Sequence, residues 1–182
     1  MSHPLRQTIL LVDGYNVIGL WPGIREVCNF HGLETARRDL IEALVNYSAS
    51  EDLNTQIVFD SQYQYTPTAK EIITDKLSVH YTEFGQTADT YIEKACANLR
   101  QEINLSRSRL IVATSDRDQK LTVIGYGAEW MSSQQLAHDV ESVANNVRSK
   151  CQRRKRSSSR FLASYLDPES QKRLAELRMG KK

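Results

Sequence analysis

The sequence contains 182 residues, of which 40% are hydrophobic and 25% are charged, and this composition is typical of a soluble globular domain with an appendage. Its apolar runs are far shorter than the roughly 20 residues of a membrane span, which excludes a membrane-spanning class. Three cysteines without a Cys-x-x-Cys pair favour neither a disulfide framework nor a zinc site. The N-terminus lacks the pattern of a signal peptide, so we expect a cytoplasmic protein.

Charge is distributed unevenly along the chain. Residues 145–182 contain 12 Lys and Arg but only 3 Asp and Glu, a net charge of +9, whereas residues 1–144 carry −7. A basic tail on an acidic globule predicts a polyanion such as nucleic acid as the partner of the tail. The alternative is a solvated tail without a dedicated partner. The densest run of cations, and our candidate RNA-binding set, is Arg153, Arg154, Lys155 and Arg156.

The first predicted element is a strand over residues 9–12, because four consecutive apolar residues indicate burial on both faces of a sheet. The strand ends in Asp13, and Gly14 allows the backbone to turn at once. We predict a tight loop over residues 13–19, which residues 21–23 extend.

A helix is predicted next, because apolar residues recur at helical spacing over residues 33–47. Residues 56–59 form a second apolar run, and Asp60 follows it. Residues 61–68 are a loop rich in Tyr and Gln, which either lies on the surface or stacks on bases. Residues 69–77 are predicted to form a short helix.

A weak third strand is predicted over residues 78–81, followed by a helix that Thr87 caps. This helix carries Asp89 and Glu93 four residues apart, and therefore on one face. A fourth strand spans residues 109–114.

The last predicted elements are a helix over residues 119–126, a short strand over 127–131 and a long helix over 136–151. The three serines at 157–159 are predicted to form a linker.

The alternation of strands and helices predicts an α/β fold with a mostly parallel sheet and helices on both faces. Right-handed crossovers place the carboxyl ends of all parallel strands on one rim. Acidic residues follow three strands and begin one helix at this rim. They are Asp13, Asp60, Asp116 and Asp89, with Glu93 and Asp118 nearby in roles that we leave open.

Each of these residues also has a purely structural interpretation. Asp13 and Asp60 are residue types that form turns, Asp116 is a common helix cap, and Asp89 lies where a helix dipole favours an acid. Asn16 either turns the first loop or donates a hydrogen bond to a phosphate oxygen, and we favour the second role.

A cluster of carboxylates predicts a hard metal ion, because like charges repel unless a cation lies between them or their pKa values rise. Oxygen ligands suit Mg²⁺ or Mn²⁺, and the four histidines lack zinc spacing and are predicted to lie at the surface. Two such cations would activate a water for the displacement of a phosphodiester. The alternative is an RNA-binding module whose acidic rim has no catalytic role. A phosphotransfer enzyme with Asp13 as nucleophile is disfavoured, since Tyr15 occupies the place of its usual second acid.

Four segments resemble the successive motifs of the YacP-like NYN-domain proteins, within the PIN-like nuclease superfamily. They are residues 11–18 (LVDGYNVI), 58–60 (VFD), 87–93 (TADTYIE) and 114–116 (TSD), within a match over about residues 9–151. The resemblance implies a three-layer α/β/α PIN-like nuclease domain over residues 1–147 and a basic helical extension over 148–182. It also implies a metal-dependent endoribonuclease that cleaves single-stranded RNA, with mRNA and the ribosome as expected partners. It assigns the metal to Asp13, Asp89 and Asp116, and more weakly to Asp60, with Asn16 assisting.

Overall fold

The structure, a computed structural model, describes residues 7–60, 69–106 and 108–164, together with Glu169. Within these residues the strands are β1 (Thr8–Asp13), β2 (Leu53–Phe59), β3 (Ala69–Ile72), β4 (Leu77–Tyr81), β5 (Arg109–Ala113) and β6 (Glu129–Met131). The helices are α1 (Gly14–Leu20), α2 (Pro22–His31), α3 (Leu33–Glu51), α4 (Ala88–Ser106), α5 (Arg117–Gly125) and α6 (Ser133–Ser164).

The described strands form one sheet in the order β3-β4-β2-β1-β5-β6. Every pairing is parallel except that of β3 with β4, so the carboxyl ends of β1, β2, β4, β5 and β6 share one edge. The chain first proceeds outward from β1 through β2 to β4, and then returns to place β5 on the other side of β1. Such a reversal of strand order opens a crevice at the carboxyl edge, where ligands bind in open α/β sheets.

Two apolar clusters cover the two faces of the sheet. Leu10, Val12 and Phe59 pack with α1, α2, α3 and the first turns of α6. Leu11 and Val58 pack with α4 and α5 on the opposite face. Because successive strand residues point to opposite faces, the near-continuous apolar runs of β1 and β2 supply both clusters. The predicted α/β fold, a mostly parallel sheet between two helical layers, is confirmed.

Residues 14–20 and 22–31 are helical, so the loop predicted over residues 13–19 and 21–23 is wrong. Asp13 caps α1 by accepting a hydrogen bond from the Asn16 N–H at 3.3 Å. Pro22 occupies the first turn of α2, where its missing N–H carries no penalty. Glycine at 14, 19 and 23 suggested a loop, but burial of one face of each short helix outweighs that local preference.

Two further predictions are wrong. Residues 69–72 form the edge strand β3 rather than a helix, because they pair antiparallel with the free edge of β4. The backbone of residues 157–159 lies inside α6 rather than in a linker. Serine is only moderately less favourable than alanine in a helix, so three serines do not by themselves end one.

The chain divides into two compact units, residues 1–143 and 144–182, and α6 runs across their boundary. The predicted functional boundary at residue 147 stays a prediction. The predicted loop at 61–68 lies outside the described residues. Among the described helices, none combines the length and the apolar character needed to cross a membrane.

Gly14 links the core to the end of β1. A Cβ atom at Gly14 would overlap the ring of Phe59, which is fully buried. The Gly14→Ala variant should therefore lose about 1–3 kcal/mol of unfolding free energy through overpacking. Urea denaturation measures this loss.

Gly19 provides the matched control, since it lies in the same helix and nothing lies within 4 Å of a Cβ added there. The Gly19→Ala variant should be neutral or gain up to about 1 kcal/mol from helix propensity. Equal denaturation midpoints for the two variants would contradict the close packing of Gly14 on Phe59.

Candidate active site at the carboxyl edge of the sheet

Asp13 lies at the centre of the carboxyl edge. It is the last residue of β1, it pairs with Val58 of β2, and it is only 7% exposed. Since strand side chains alternate, Asp13 projects from the same face as Leu11, which is the face that α4 and α5 cover. Those two helices begin near Asp89 and Asp116, so the alternation directs three of the predicted acids toward one region.

The electrostatics of Asp13 show that the acids influence one another. Burial raises the pKa of the Asp13 carboxyl to about 6 from an ordinary 3.8, and the hydrogen bond from Asn16 lowers it in part. The charges of Asp89, Asp116 and Asp60 raise this pKa further. Burial also raises the pKa of Asp89, followed by the charges of Asp116 and Asp60. Four acids that are distant in sequence therefore share one electrostatic environment.

Asp116 and Asp89 are held by the first turn of α5. Asp116 Oδ1 accepts hydrogen bonds from the N–H groups of Asp118 and Gln119, at 2.8 and 2.9 Å. Gln119 Nε2 in turn donates to Asp89 Oδ1 at 2.6 Å. Asp116 is thus a helix cap, as its alternative interpretation proposed, but the cap occupies only one carboxylate oxygen. The other oxygen makes no hydrogen bond within the described residues.

An acidic cleft of about 240 Å³ lies between α4 and α5. It is lined by Asp89, Glu93, Asp116, Asp118, Gln119, Thr122 and Val123. Glu93 and Asp118, whose roles the sequence left open, therefore belong to the same cleft as two of the predicted ligands. Glu93 also accepts a hydrogen bond from Tyr126 Oη at 3.3 Å. Asp13 and Asp60 do not line this cleft. They interact electrostatically with the acids that do, since the charges of Asp89 and Asp116 raise the pKa of Asp13, and the charge of Asp60 raises the pKa of Asp89.

The donor chemistry fits a hard divalent cation, because the groups that gather here are carboxylate and amide oxygens. Gln119 Oε1 is buried and has no hydrogen-bond partner within the described residues, so it adds a further oxygen to this set. In the part of the chain that the structure describes, however, no three His, Cys, Asp or Glu side chains are arranged to hold a metal ion as they stand. Coordination would require some of these side chains to move toward one another.

Asn16 is oriented by a polar network beside these acids. Its Oδ1 accepts from the Ser115 N–H at 2.8 Å and from Ser133 Oγ at 2.9 Å. Ser115 Oγ also accepts from the Ser133 N–H at 2.9 Å, so the network joins α1, the end of β5 and the start of α6. Since Oδ1 is occupied by two donors, the amide Nδ2 of Asn16 is left as a donor. That orientation is the one that contact with a phosphate oxygen requires.

Sequence reasoning missed Gln119, Ser115 and Ser133. The sequence did contain a pattern that indicates a role for Gln119, because a glutamine three residues after a capping aspartate is typical of a helix start. Ser115 and Ser133 had none, since each bonds to a residue about a hundred positions away. The predicted RNA-binding residues 153–156 lie in α6, and their side chains fall outside the described part of the structure.

His80 is not at the surface, and that prediction is wrong. It is buried in β4, where its ring stacks on Tyr91 of α4 with centroids 4.1 Å apart. Burial lowers the pKa of His80, and the charge of Lys70 lowers it further. The alternation of β4 side chains directs His80 against α4. The short apolar pattern of residues 78–81 did not indicate which face of the strand is buried.

Comparison with known proteins gives a consistent result. A family model described as YacP-like NYN domain matches residues 10–179 of this chain. The uncharacterized protein YacP of Bacillus subtilis (strain 168) is 32% identical over 139 residues, which cover 76% of this chain and 78% of that protein.

Two crystal structures of Rae1 (YacP) from Bacillus subtilis are similar to this fold. The first, of a single-residue mutant of that protein, has a TM-score of 0.67 at 27% identity, covering 94% of this chain and 99% of that one. The second has a TM-score of 0.64 at 29% identity, covering 94% of this chain and 95% of that one.

The raised pKa of Asp13 predicts a pH-dependent stability. Native Asp13 binds a proton up to about pH 6, whereas its ordinary pKa is 3.8. Between these values the native state holds more protons than the unfolded state, so the unfolding free energy falls as pH rises through this window. Above it, the buried charge costs about 3 kcal/mol.

The Asp13→Asn variant should remove this cost and keep the cap of α1, because asparagine also accepts a hydrogen bond from the Asn16 N–H. In a chelating buffer at pH 7.5 we expect the variant to unfold at higher denaturant concentration than the wild type, with the difference disappearing by about pH 4. A difference that is independent of pH would show that Asp13 is not held as a destabilised carboxylate.

Proposed function

Because the chain belongs to the YacP-like NYN domain family, we propose that it is a metal-dependent endoribonuclease that cleaves single-stranded RNA. Membership of this PIN-like nuclease family indicates an RNase. The observation that best supports catalysis is Asp13, a buried carboxylate whose pKa is raised by burial and by three further aspartates around it. A binding surface alone has no need for a destabilised charge at the carboxyl edge of the sheet.

The ligands we assign to Mg²⁺ or Mn²⁺ are Asp13, Asp89 and Asp116, with Asp60 as a weaker member. When bound, the metal supplies a water nucleophile of lowered pKa and offsets negative charge on the phosphodiester. The acids contribute by their fixed positions, since Asp13 ends a central strand and Asp116 caps α5. Gln119 keeps one oxygen of Asp89 from turning away.

Asn16 positions the RNA in this proposal. Its amide Nδ2 would donate to a phosphate oxygen next to the bond that is cut, while Ser115 and Ser133 hold its carbonyl oxygen. The basic residues 153–156 would bind the phosphate backbone further along the strand and offset the repulsion between RNA and the acidic edge. The finer proposal, from the family resemblance, is that the RNA is mRNA in association with the ribosome in the cytoplasm.

Replacement of one acid tests the catalytic assignment. The Asp13→Asn variant should lose on the order of 100- to 1,000-fold in the rate of cleavage of a labelled single-stranded RNA in Mg²⁺ or Mn²⁺. The Asp75→Asn variant is the control, because Asp75 is exposed in the turn before β4, at the opposite end of the sheet. Unchanged cleavage by Asp13→Asn would overturn the assignment.

A second measurement detects metal binding independently of RNA cleavage. Mn²⁺ should raise the melting temperature of the wild type and of Asp75→Asn, because a ligand that binds only the native state stabilises it. The same Mn²⁺ concentration should give little shift in Asp13→Asn. An equal shift in all three proteins would place the bound metal elsewhere.

An RNA-binding module without catalysis is the second candidate, and one observation favours it. In the described part of the chain the acids do not form a ready-made metal group. On this alternative, RNA binding persists in a chelator and no divalent ion produces cleavage. Cleavage by the wild type that Asp13→Asn lacks excludes it.

The basic cluster can be tested in either case. Neutralisation of residues 153–156 to glutamine should weaken RNA binding and reduce the slope of log affinity against log salt by about 3, since each contact with a single strand contributes about 0.7. The matched control removes four exposed cations elsewhere: Arg25, Arg38, Lys70 and Arg100. Equal slopes for the two variants would assign no phosphate contacts to the cluster.

A further inference from the structure

Trp130 is a partly exposed tryptophan beside the acidic edge. The other tryptophan, Trp21, is 5% exposed and belongs to the core, whereas Trp130 is 36% exposed in β6. In the described sheet β6 is an edge strand, so no further strand covers it on its outer side. Exposing so large an aromatic side chain forgoes burial that the fold otherwise obtains from its aromatic residues.

Trp130 is attached directly to the turn that carries Asp116. Its Nε1 donates to the carbonyl oxygen of Thr114 at 2.8 Å. Thr114 Oγ1 accepts from the Asp116 N–H at 3.1 Å, and this turn joins β5 to α5. Two hydrogen bonds, both to Thr114, therefore connect the indole with Asp116, a proposed metal ligand.

A cation lies over the same indole ring. Lys120 Nζ is 3.6 Å from the ring centroid of Trp130, which is cation–π contact. Lys120 belongs to α5, and its N–H donates to the carbonyl oxygen of Asp116 at 3.1 Å. The indole is therefore held to this turn through Thr114, and the backbone of Lys120 is joined to the same turn through Asp116.

An aromatic ring together with a cation matches the chemistry of a single-stranded nucleotide. Every base has a π-face that stacks on an aromatic side chain, and the backbone phosphate next to it needs a cation. A protein partner would meet the exposed apolar side chains of Leu121 and Ile124 on α5 as well as the ring, but the same helix carries Lys120 and part of the acidic cleft, and charged groups are depleted at the centre of protein interfaces. Charge and ring together favour a nucleotide.

The geometry points to Trp130 and Lys120 as a nucleotide-binding subsite, in which Lys120 leaves the face of the indole to contact a phosphate and the freed ring stacks on a base that flanks the cleaved bond. The exposed cation–π contact that is given up is worth only about 2- to 5-fold in affinity. This inference rests on the proposed function, because it takes RNA as the ligand. It adds a positioning element that aligns the strand beside Asp116. Stacking tolerates every base, so the subsite would position RNA without selecting a sequence.

The test measures binding in the full-length Asp13→Asn protein with a chelator, so that cleavage does not interfere. The probes are a fluorescently labelled oligouridylate of about ten nucleotides and an abasic oligomer of the same length. The Trp130→Leu variant should bind the oligouridylate about 10- to 100-fold more weakly and the abasic oligomer equally well. The Trp130→Phe variant keeps a ring and should retain most of the affinity.

Tryptophan fluorescence provides a second readout, since the chain has only 2 tryptophans. In a Trp21→Phe background, oligouridylate should quench Trp130 and the abasic oligomer should not. If Trp21→Phe does not fold, the same titration in the parent protein serves, because the signal of Trp21 is a constant core contribution. Circular dichroism melting checks that each variant is folded.

Lys120→Gln should weaken both probes to a similar extent and reduce the salt slope by about 0.7. Lys70→Gln is its control, because Lys70 is exposed on β3, at the opposite edge of the sheet, and should leave binding unchanged. These results would support a subsite in which Trp130 contacts the base and Lys120 contacts the phosphate.

Three outcomes would overturn the subsite. If RNA binds without quenching Trp130 and Trp130→Leu retains full affinity, the inference fails while the proposed function stands. If Trp130→Leu weakens the two probes equally, the indole only supports the turn. If the parent protein binds neither probe, the inference fails, and the proposed function fails with it only if the wild type also leaves labelled RNA uncleaved in Mg²⁺ or Mn²⁺.

Discussion

Burial of the Asp13 carboxylate, to which the charges of three further aspartates add repulsion, is the constraint on which the functional edge of this protein depends. The fold buries one acid at the end of its central strand and directs the charges of three others toward it. Such an arrangement opposes folding at neutral pH, so the rest of the structure must hold the acids in place. A cation that neutralised them would convert this cost into binding free energy, which is the physical basis of the metal site that we propose.

Asp13, Asp116 and Asp89 accept hydrogen bonds from backbone N–H groups and a side-chain amide. Asp13 and Asp116 each accept from the first turn of a helix, where N–H groups lack other partners and the dipole favours negative charge. Asp89 is held by the Gln119 amide. Because these donors carry no full positive charge, they orient the carboxylates without neutralising them.

The turn from β5 to α5 connects the separate parts of the site. Ser115 fixes Asn16, Asp116 caps the next helix, and Thr114 accepts the indole N–H of Trp130. One short segment therefore positions an acid, the amide of Asn16 and an aromatic ring. Since the turn follows a strand beside β1, its place is set by the parallel register of the sheet.

The sequence alone determined the α/β class and the acidic edge, because buried parallel strands give continuous apolar runs and their carboxyl ends share one side. It did not determine the helices α1 and α2, because burial of their apolar faces outweighs the local preference of glycine for a loop. It did not determine the strand β3 either, because pairing with the free edge of β4 outweighs the short helical periodicity of that segment. Tertiary structure decided which groups orient Asp89 and Asn16 and which hydrogen bond holds the indole of Trp130. Gln119, Ser115 and the indole of Trp130 act through contacts between residues distant along the chain, and such contacts leave no local pattern to detect.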